Sequence, residues 1–384
     1  MSQAPFDAVV VGAGLAGAVL AERLAQVAQK RVLVVEKRSH LGGNCYDEKD
    51  EAGILVHRYG PHLFHTDNKA VMDYLRPFAD WIPYFHKVKA HIDGIEVPLP
   101  FNFRSMELLF DAATAQRVQS RLVERFGYGA KVPILELQKS ADRDLIFLAE
   151  FVYEKVFLHY TLKQWGLRPD EIDKEVTARV PVLVGRDERY FQDRYQFVPA
   201  DGYGALIKKM LTHPRIKWML QTDFLEIAEL KEGKISLFGA PFEGTVFYTG
   251  ALDELFDYRW GALPYRSVQM AFETLPMPRY QVCATVNYPN QFDFTRITEF
   301  KHIHPVTVEK TTVLKEYPCA HIPGKTIPYY PVFTDKNRAL YARYAQLAKT
   351  YGQFVPVGRL AEYRYYDMDD AVARALDVFK EYIG

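Results

Sequence analysis

The sequence predicts a mixed α/β fold in which a parallel α/β core is interrupted by a helical insert and by an antiparallel β-sheet domain. Three observations predict it. First, the β-branched residues 6–11 run into Gly12-Ala13-Gly14-Leu15-Ala16-Gly17, an Ala/Leu-rich helical stretch to about residue 28, and a second apolar run, Val32–Val35, ending in Glu36. Strand, glycine turn, helix and strand make a complete βαβ unit. Second, glycines thin out between about residues 103 and 174 and apolar residues recur at helical spacing, as in 106–115, 116–126 and 145–157. Third, residues 261–331 carry Tyr, Val, Thr and Phe in short runs broken by Pro and Asn, the pattern of antiparallel strands.

The βαβ unit has the spacing of a Rossmann-like dinucleotide site. Gly12 permits the tight turn out of the strand, Gly14 lets the backbone approach a pyrophosphate, and Gly17 allows close helix packing. The helix start offers free N–H groups and partial positive charge to the phosphates. Alone, such a glycine triplet also fits an ordinary turn; a carboxylate on the next strand, Glu36, favours the dinucleotide by binding ribose hydroxyls. It would repel a 2′-phosphate, which disfavours NADP. The paired glycines of His40-Leu41-Gly42-Gly43-Asn44 let a backbone pass close to a flat ring or phosphate. This stretch resembles the extended fingerprint of flavoproteins related to glutathione reductase and amine oxidases, which implies FAD. At the far end, Gly358-Arg359 and Asp367-Met368 precede the final helix. In that flavoprotein group a similar glycine and helix start face the flavin, where the helix dipole stabilises negative charge on the reduced ring.

The remaining elements fall in order. Strand signals weaken through a glycine- and histidine-rich loop, residues 41–68. Residues 179–194 read as a charged loop, after which 195–198 and Asp201-Gly202-Tyr203-Gly204 restart the α/β pattern. A helix over 338–349, a strand over 354–357 and a helix from about 369 to 382 complete it. The predicted FAD-binding domain is therefore discontinuous, built from 1–80, 197–250 and 334–384. The helical domain is 103–178, and the sheet with a mobile loop takes 81–102, 179–196 and 251–333.

Composition limits the partners. Lys plus Arg (48) balance Asp plus Glu (48) in 384 residues, so no global field draws in nucleic acid or an acidic membrane. Cys45, Cys283 and Cys319 stand far apart without CxxC or Cys/His spacing, which predicts neither a disulfide framework nor a metal site and suits a reducing cytoplasm. No apolar stretch nears the roughly 20 residues that span a bilayer, so the expectation is a cytoplasmic protein without membrane insertion. Aromatic residues reach 14%, with 25 tyrosines, many beside arginines in the second half. A fold does not need that many phenols.

Five motifs place the chain more closely. Tyr59-Gly60-Pro61-His62-Leu63-Phe64-His65-Thr66, Tyr160-Thr161-Leu162-Lys163-Gln164-Trp165-Gly166, Thr295-Arg296-Ile297-Thr298-Glu299, Ile327-Pro328-Tyr329-Tyr330-Pro331 and Arg364-Tyr365-Tyr366-Asp367-Met368-Asp369 occur in order over almost the whole chain. They resemble the bacterial UDP-galactopyranose mutases. The resemblance implies interconversion of UDP-galactopyranose and UDP-galactofuranose, with N5 of reduced FAD as nucleophile at the anomeric carbon and no net redox change. It also implies a homodimer and a supply of galactofuranose for cell-surface glycans.

By the same resemblance Arg296, and Arg179 on a mobile loop, hold the diphosphate; a planar arginine fork suits two phosphates better than lysine. Tyr190, Tyr330 and Tyr365 add hydroxyls, Tyr160 with Thr161 and nearby Phe157 takes the uracil, and Trp165 lies beside the sugar. His62 would sit against the flavin, and with Arg179 and Arg296 it forms the implied catalytic set. No side chain stands out as a general base. One departure is visible: His86 precedes Lys87-Val88-Lys89-Ala90 where some relatives have Asn, turning a nucleotide contact into a titratable one. Read singly, each tyrosine is more simply a packed ring, Arg179 a solvated side chain and Trp165 a core residue. The rival reading is an FAD-dependent amine oxidase or desaturase-type oxidoreductase, which needs a greasy or amine-lined channel. Arginines among phenols suit a dianionic diphosphate better.

Overall fold

The computed structural model describes residues 5–167 and 181–384; Arg179 lies outside them. Five short strands, Ile216–Met219, Val32–Val35, Ala8–Val11, Thr245–Tyr248 and Phe354–Pro356, lie side by side in that order, every neighbouring pair parallel. Their near-continuous Val, Leu and Phe runs suit a sheet covered on both faces. Alternate side chains go to opposite faces. Val10, Val34 and Phe247 pack under the helix Leu15–Gln26 and the final helix Met368–Ile383, whereas Val9, Leu33 and Val246 meet Phe224, Tyr344 and Phe354. Leu20 and Leu24 are fully buried, so the helix that begins at the glycine turn is fixed from both sides.

The insert is built on helices Phe103–Leu109, Ala112–Phe126, Ile134–Leu137, Arg143–Val152 and His159–Trp165 around Met106, Val118, Leu122 and Leu148, all at 0% exposure. Asn102, Asp111 and Asp142 cap three of these helices with side-chain oxygens. It is not wholly helical, as the sequence pattern suggested. Lys131–Pro133 pairs antiparallel with Pro181–Leu183, using β-branched Val132 and Val182. Tyr153–Leu158 is π-helical and runs directly into His159–Trp165; such widened turns are rare and often accompany functional sites.

The third sub-structure is a seven-stranded sheet in the order Tyr330–Pro331, Tyr265–Leu275, Thr311–Ala320, Arg296–Glu299, Thr285–Asn287, Val88–Ile92, Ile95–Leu99. Sequence periodicity predicted antiparallel pairing throughout, but Val88–Ile92 and Thr285–Asn287 are parallel. These two strands come from distant parts of the chain, so no hairpin forces their direction. The register sets Arg296 directly across from Glu316. The predicted loop 41–68 also holds strands: Asp47–Lys49 pairs with Leu55–His57, and Phe64–Thr66 joins Tyr195–Pro199 and Trp81–Pro83. They are only three to five residues long and partly polar, which hides them from pattern reading.

Candidate cofactor cavity and substrate face

The glycine turn is shaped by atoms that leave no room for a side chain. Gly12 has φ +100°, and a Cβ there would sit 2.0 Å from Thr249 Oγ1; one on Gly17 would sit 2.0 Å from the Gly12 carbonyl oxygen. A Cβ on Gly43 would meet the Gly14 Cα at 2.8 Å, so the two glycine loops touch. Gly14 caps the helix without a side-chain hydrogen bond, leaving first-turn N–H groups for a ligand. Glu36 accepts from the backbone N–H of Ala13 at 2.8 Å and of Arg38 at 2.9 Å, which aims its carboxylate at the same space. Arg38 donates to Asn44 Oδ1 at 2.9 Å and lies over the Tyr59 ring, yet its Nη1 is buried without a partner. Because Arg38 also lines the cavity, that donor is available to a ligand there.

The cavity behind these groups opens to solvent at its mouth and runs from the glycine turn to the start of the final helix, an elongated shape that suits a dinucleotide. Gly12, Gly14, Gly17, Glu36, Gly43, Asn44, His62, Gly358, Arg359, Asp367 and Met368 all line it, so the structure brings together the cofactor residues expected from sequence. Sequence reasoning missed Arg38, and also Thr222–Leu225 and Thr249–Gly250, which line the same cavity beside Glu36 and Gly12 and carry no motif.

At the far end, Gly358 has φ +93° and donates to Glu362 at 2.8 Å. Asp367 caps the final helix with Asp370 completing a capping box. Arg359 donates to the Tyr366 carbonyl through two nitrogens, and its guanidinium lies 5.4 Å from the Tyr330 ring and 5.2 Å from the Tyr365 ring. It joins the cavity wall to the tyrosines beyond. His62 lines the cavity with Nδ1 2.8 Å from the Gly60 carbonyl oxygen. A carbonyl only accepts, so Nδ1 carries the proton and Nε2 is left as a lone pair. Burial, with the Arg359 charge adding to it, pushes His62 down to about 4, so the ring is a neutral base at ordinary pH.

Beyond Arg359 lies the second face. Arg296 Nε and Glu316 Oε2 are 3.3 Å apart; the arginine side chain is 25% exposed and the glutamate 5%. Burial pushes the Glu316 carboxyl up while Arg296 pulls it down. Burial likewise opposes the Arg296 charge, but Glu316 and the phenols of Tyr160, Tyr330 and Tyr190 outweigh it and raise its pKa. Tyr330 stacks on Tyr365 at 5.8 Å and 9°, and Trp165 meets Tyr330 at 5.8 Å. His86 lies 5.8 Å from Tyr190, with Nδ1 3.2 Å from the Tyr84 hydroxyl. Burial first, then the Arg296 and His65 charges, push His86 down to about 3. The titratable contact suggested by sequence is thus a neutral ring.

Two expected residues stay apart: Phe157 packs in the core of the helical insert at 4% exposure, and Thr161 is buried at 5%. Two unexpected ones hold the face together. Lys163 donates to the carbonyls of Tyr288, Phe292 and Phe294, and Arg266 to those of Lys163 and Gln164. They clamp the C-terminal end of the helix carrying Tyr160 and Trp165 onto the sheet. Among the described residues no group of three or more His, Cys, Asp or Glu is placed to hold a metal, and no helix is long and apolar enough to cross a membrane.

The glycine cradle, the Glu36 carboxylate beside it and the final-helix cap on one cavity are those of a Rossmann-like dinucleotide-binding domain. A family model of the NAD(P)-binding Rossmann-like domain matches residues 10–78. The fold is that of a crystal structure of reduced UDP-galactopyranose mutase (TM-score 0.72, 16% identity, 99% of this chain and 94% of that one) and, less closely, of a putrescine oxidase (TM-score 0.59, 11% identity). The UDP-galactopyranose mutase family model matches residues 155–365. The UDP-galactopyranose mutase of Mycoplasma pneumoniae is 36% identical over 97% of this chain and 94% of its own. A dTDP-fucopyranose mutase of Escherichia coli is 34% identical over 98% of both chains. The chain belongs to the UDP-galactopyranose mutase family of isomerases.

Proposed function

We propose that the protein holds FAD in the glycine-lined cavity and, with that flavin reduced, interconverts UDP-galactopyranose and UDP-galactofuranose. The observation that carries this reading is the Arg296–Glu316 pair ringed by Tyr160, Tyr190 and Tyr330, adjoining the cavity wall through Arg359. An arginine held charged among neutral donors suits a diphosphate. An amine or a hydrocarbon would bring no negative charge to it beyond Glu316, which disfavours the amine oxidase and desaturase reading despite the shared fold.

The residues fit FAD. Glu36 would take the ribose hydroxyls, the N-termini after Gly14 and the Arg38 Nη1 the pyrophosphate, and the wall of Gly43, Asn44, His62, Gly358 and Met368 the ring. The chemistry such a flavin supplies is nucleophilic attack at the anomeric carbon without net change of oxidation state. The chain's own groups bind and orient. Arg296, with Arg179, keeps the departing nucleotide within reach for recombination. Tyr190, Tyr330 and Tyr365 add neutral donors to the phosphates, Tyr160 stacks the base, and Trp165 packs beside the sugar. His62 offers the Nε2 lone pair to a proton on the cofactor or sugar. The division into a discontinuous FAD domain, a helical domain and a sheet domain, a homodimeric assembly, a cytoplasmic location and a supply of galactofuranose to cell-surface glycans belong to the same reading.

A second substrate has a specific support: the dTDP-fucopyranose mutase relative matches as fully as the UDP-galactose enzyme does. Chromatography of reduced protein incubated separately with UDP-galactofuranose and dTDP-fucofuranose decides between them. Ring isomerisation of the first and not the second is expected; the reverse would move the assignment to the deoxy sugar.

A further inference from the structure

We infer that His57 and His304 form a buried two-histidine relay that locks the ring state of His57 and thereby positions His62 in the cavity wall. The inference rests on the reading that a flavin lies against His62. His57, the last residue of strand Leu55–His57, is at 0% exposure. Its Nδ1 lies 2.9 Å from the backbone N–H of His62. An amide N–H only donates, so Nδ1 must be the lone pair and Nε2 must carry the ring proton. That Nε2 lies 3.2 Å from Nε2 of His304. Two nitrogens at that distance share one proton, so His304 accepts there and carries its own proton on Nδ1. Every proton in the chain His304, His57, His62 backbone follows from the one fixed donor at its end.

The alternative ring state is unfavourable. With a proton on Nδ1, His57 would face the His62 amide donor to donor at 2.9 Å, and the segment between them would have to move. That segment turns at Gly60, which has φ +90° and packs beside Met270 and Glu316. The Gly60 carbonyl in turn fixes the His62 ring. His57 is thus tied to the His62 backbone and Gly60 to the His62 side chain, and together they set where the Nε2 lone pair points. The pocket supports one proton per ring: burial pushes His57 far down and His304 to about 4. Around the His57 ring stand the Tyr203 edge at 5.7 Å, Phe300 at 5.5 Å and His304 at 5.4 Å. His304 touches neither cavity nor substrate face; it is a positioning residue acting through His57.

The test compares flavin-loaded wild type with His304→Leu and His304→Gln. Nitrogen-15 spectra of histidine-labelled wild type should show His57 protonated on Nε2; protonation on Nδ1 would overturn the relay. His304→Leu removes the acceptor and leaves a buried donor unpaired. The flavin midpoint potential and visible bands should then shift, and kcat should fall about fivefold or more with KM changed by less than about twofold. The glutamine oxygen can accept from His57 Nε2–H, so His304→Gln should restore potential, spectrum and kcat. A leucine variant with unchanged potential and kcat, or a glutamine variant that behaves like leucine, would refute the proposal. The ring-state and potential readouts require no sugar turnover, so they stand or fall independently of the mutase reading.

Discussion

Removing Arg296 separates its two partners, Glu316 and the substrate diphosphate. In Arg296→Ala the Glu316 carboxylate, whose side chain is 5% exposed and whose Oε1 has no partner even in the intact protein, loses its counter-charge. Breaking a buried pair from one side costs about 3–5 kcal/mol, reduced here because Glu316 can take up a proton. Its pKa, raised by burial, rises further without Arg296. The sign follows: a carboxyl raised in the folded state is tolerated when protonated, so the variant should be least stable at high pH and recover as pH falls. Glu316→Gln added to Arg296→Ala should restore stability but not turnover. On the substrate side, a lost charged hydrogen bond costs about 1.5–3 kcal/mol, roughly a 10- to 150-fold loss in kcat/KM. Thermal unfolding at several pH values, flavin absorbance and turnover of dithionite-reduced protein measure the three effects. Turnover within about threefold of wild type, or loss of flavin from a folded variant, would show that Arg296 is not the diphosphate anchor.

Other perturbations separate the two halves of the site. Gly17→Ala sets a methyl carbon against the Gly12 carbonyl oxygen; overpacking of this kind costs about 1–3 kcal/mol, and the purified variant should be colourless, which an absorbance spectrum checks. Arg38→Ala deletes the orphan donor in the cavity and should weaken flavin binding roughly tenfold or more by equilibrium dialysis, leaving the affinity for UDP unchanged. His86 is lowered from 6.5 to about 3, so its neutral form contributes stability present above pH 6.5 and lost as pH falls towards about 3. His86→Asn should therefore gain stability relative to wild type on the acid side, on the order of 3 kcal/mol by pH 4.5. Chemical denaturation at pH 7.5 and pH 4.5 measures the difference, and equal shifts at both would refute it.

The cofactor half was legible because its constraints are local. Gly12, Gly14 and Gly17 are required by backbone distances within one turn, and Glu36 follows at the end of the adjoining strand, so spacing alone located the cavity. Gly358 and Asp367 came from a resemblance, and the fold brings them to the same wall. The substrate half was legible in composition, as too many tyrosines near arginines, and residue by residue only through the resemblance of its motifs. That Arg296 stands across from Glu316 depends on strand register, which no local pattern encodes. Phe157 reads as a site aromatic beside Tyr160, but the π-helical turn Tyr153–Leu158 directs it into the core. The parallel contact of Val88–Ile92 with Thr285–Asn287 and the His57–His304 pair join residues distant in sequence. Their spacing carries no signal, because the fold alone brings them together.

The most direct measurement of the central claim follows one preparation in two redox states. Protein carrying its flavin, reduced with dithionite under nitrogen, should convert UDP-galactofuranose to UDP-galactopyranose with the flavin still reduced at the end, and the same protein oxidised should not. Turnover by the oxidised protein, or steady oxygen consumption with an amine in place of the sugar nucleotide, would contradict a flavin that acts as a nucleophile.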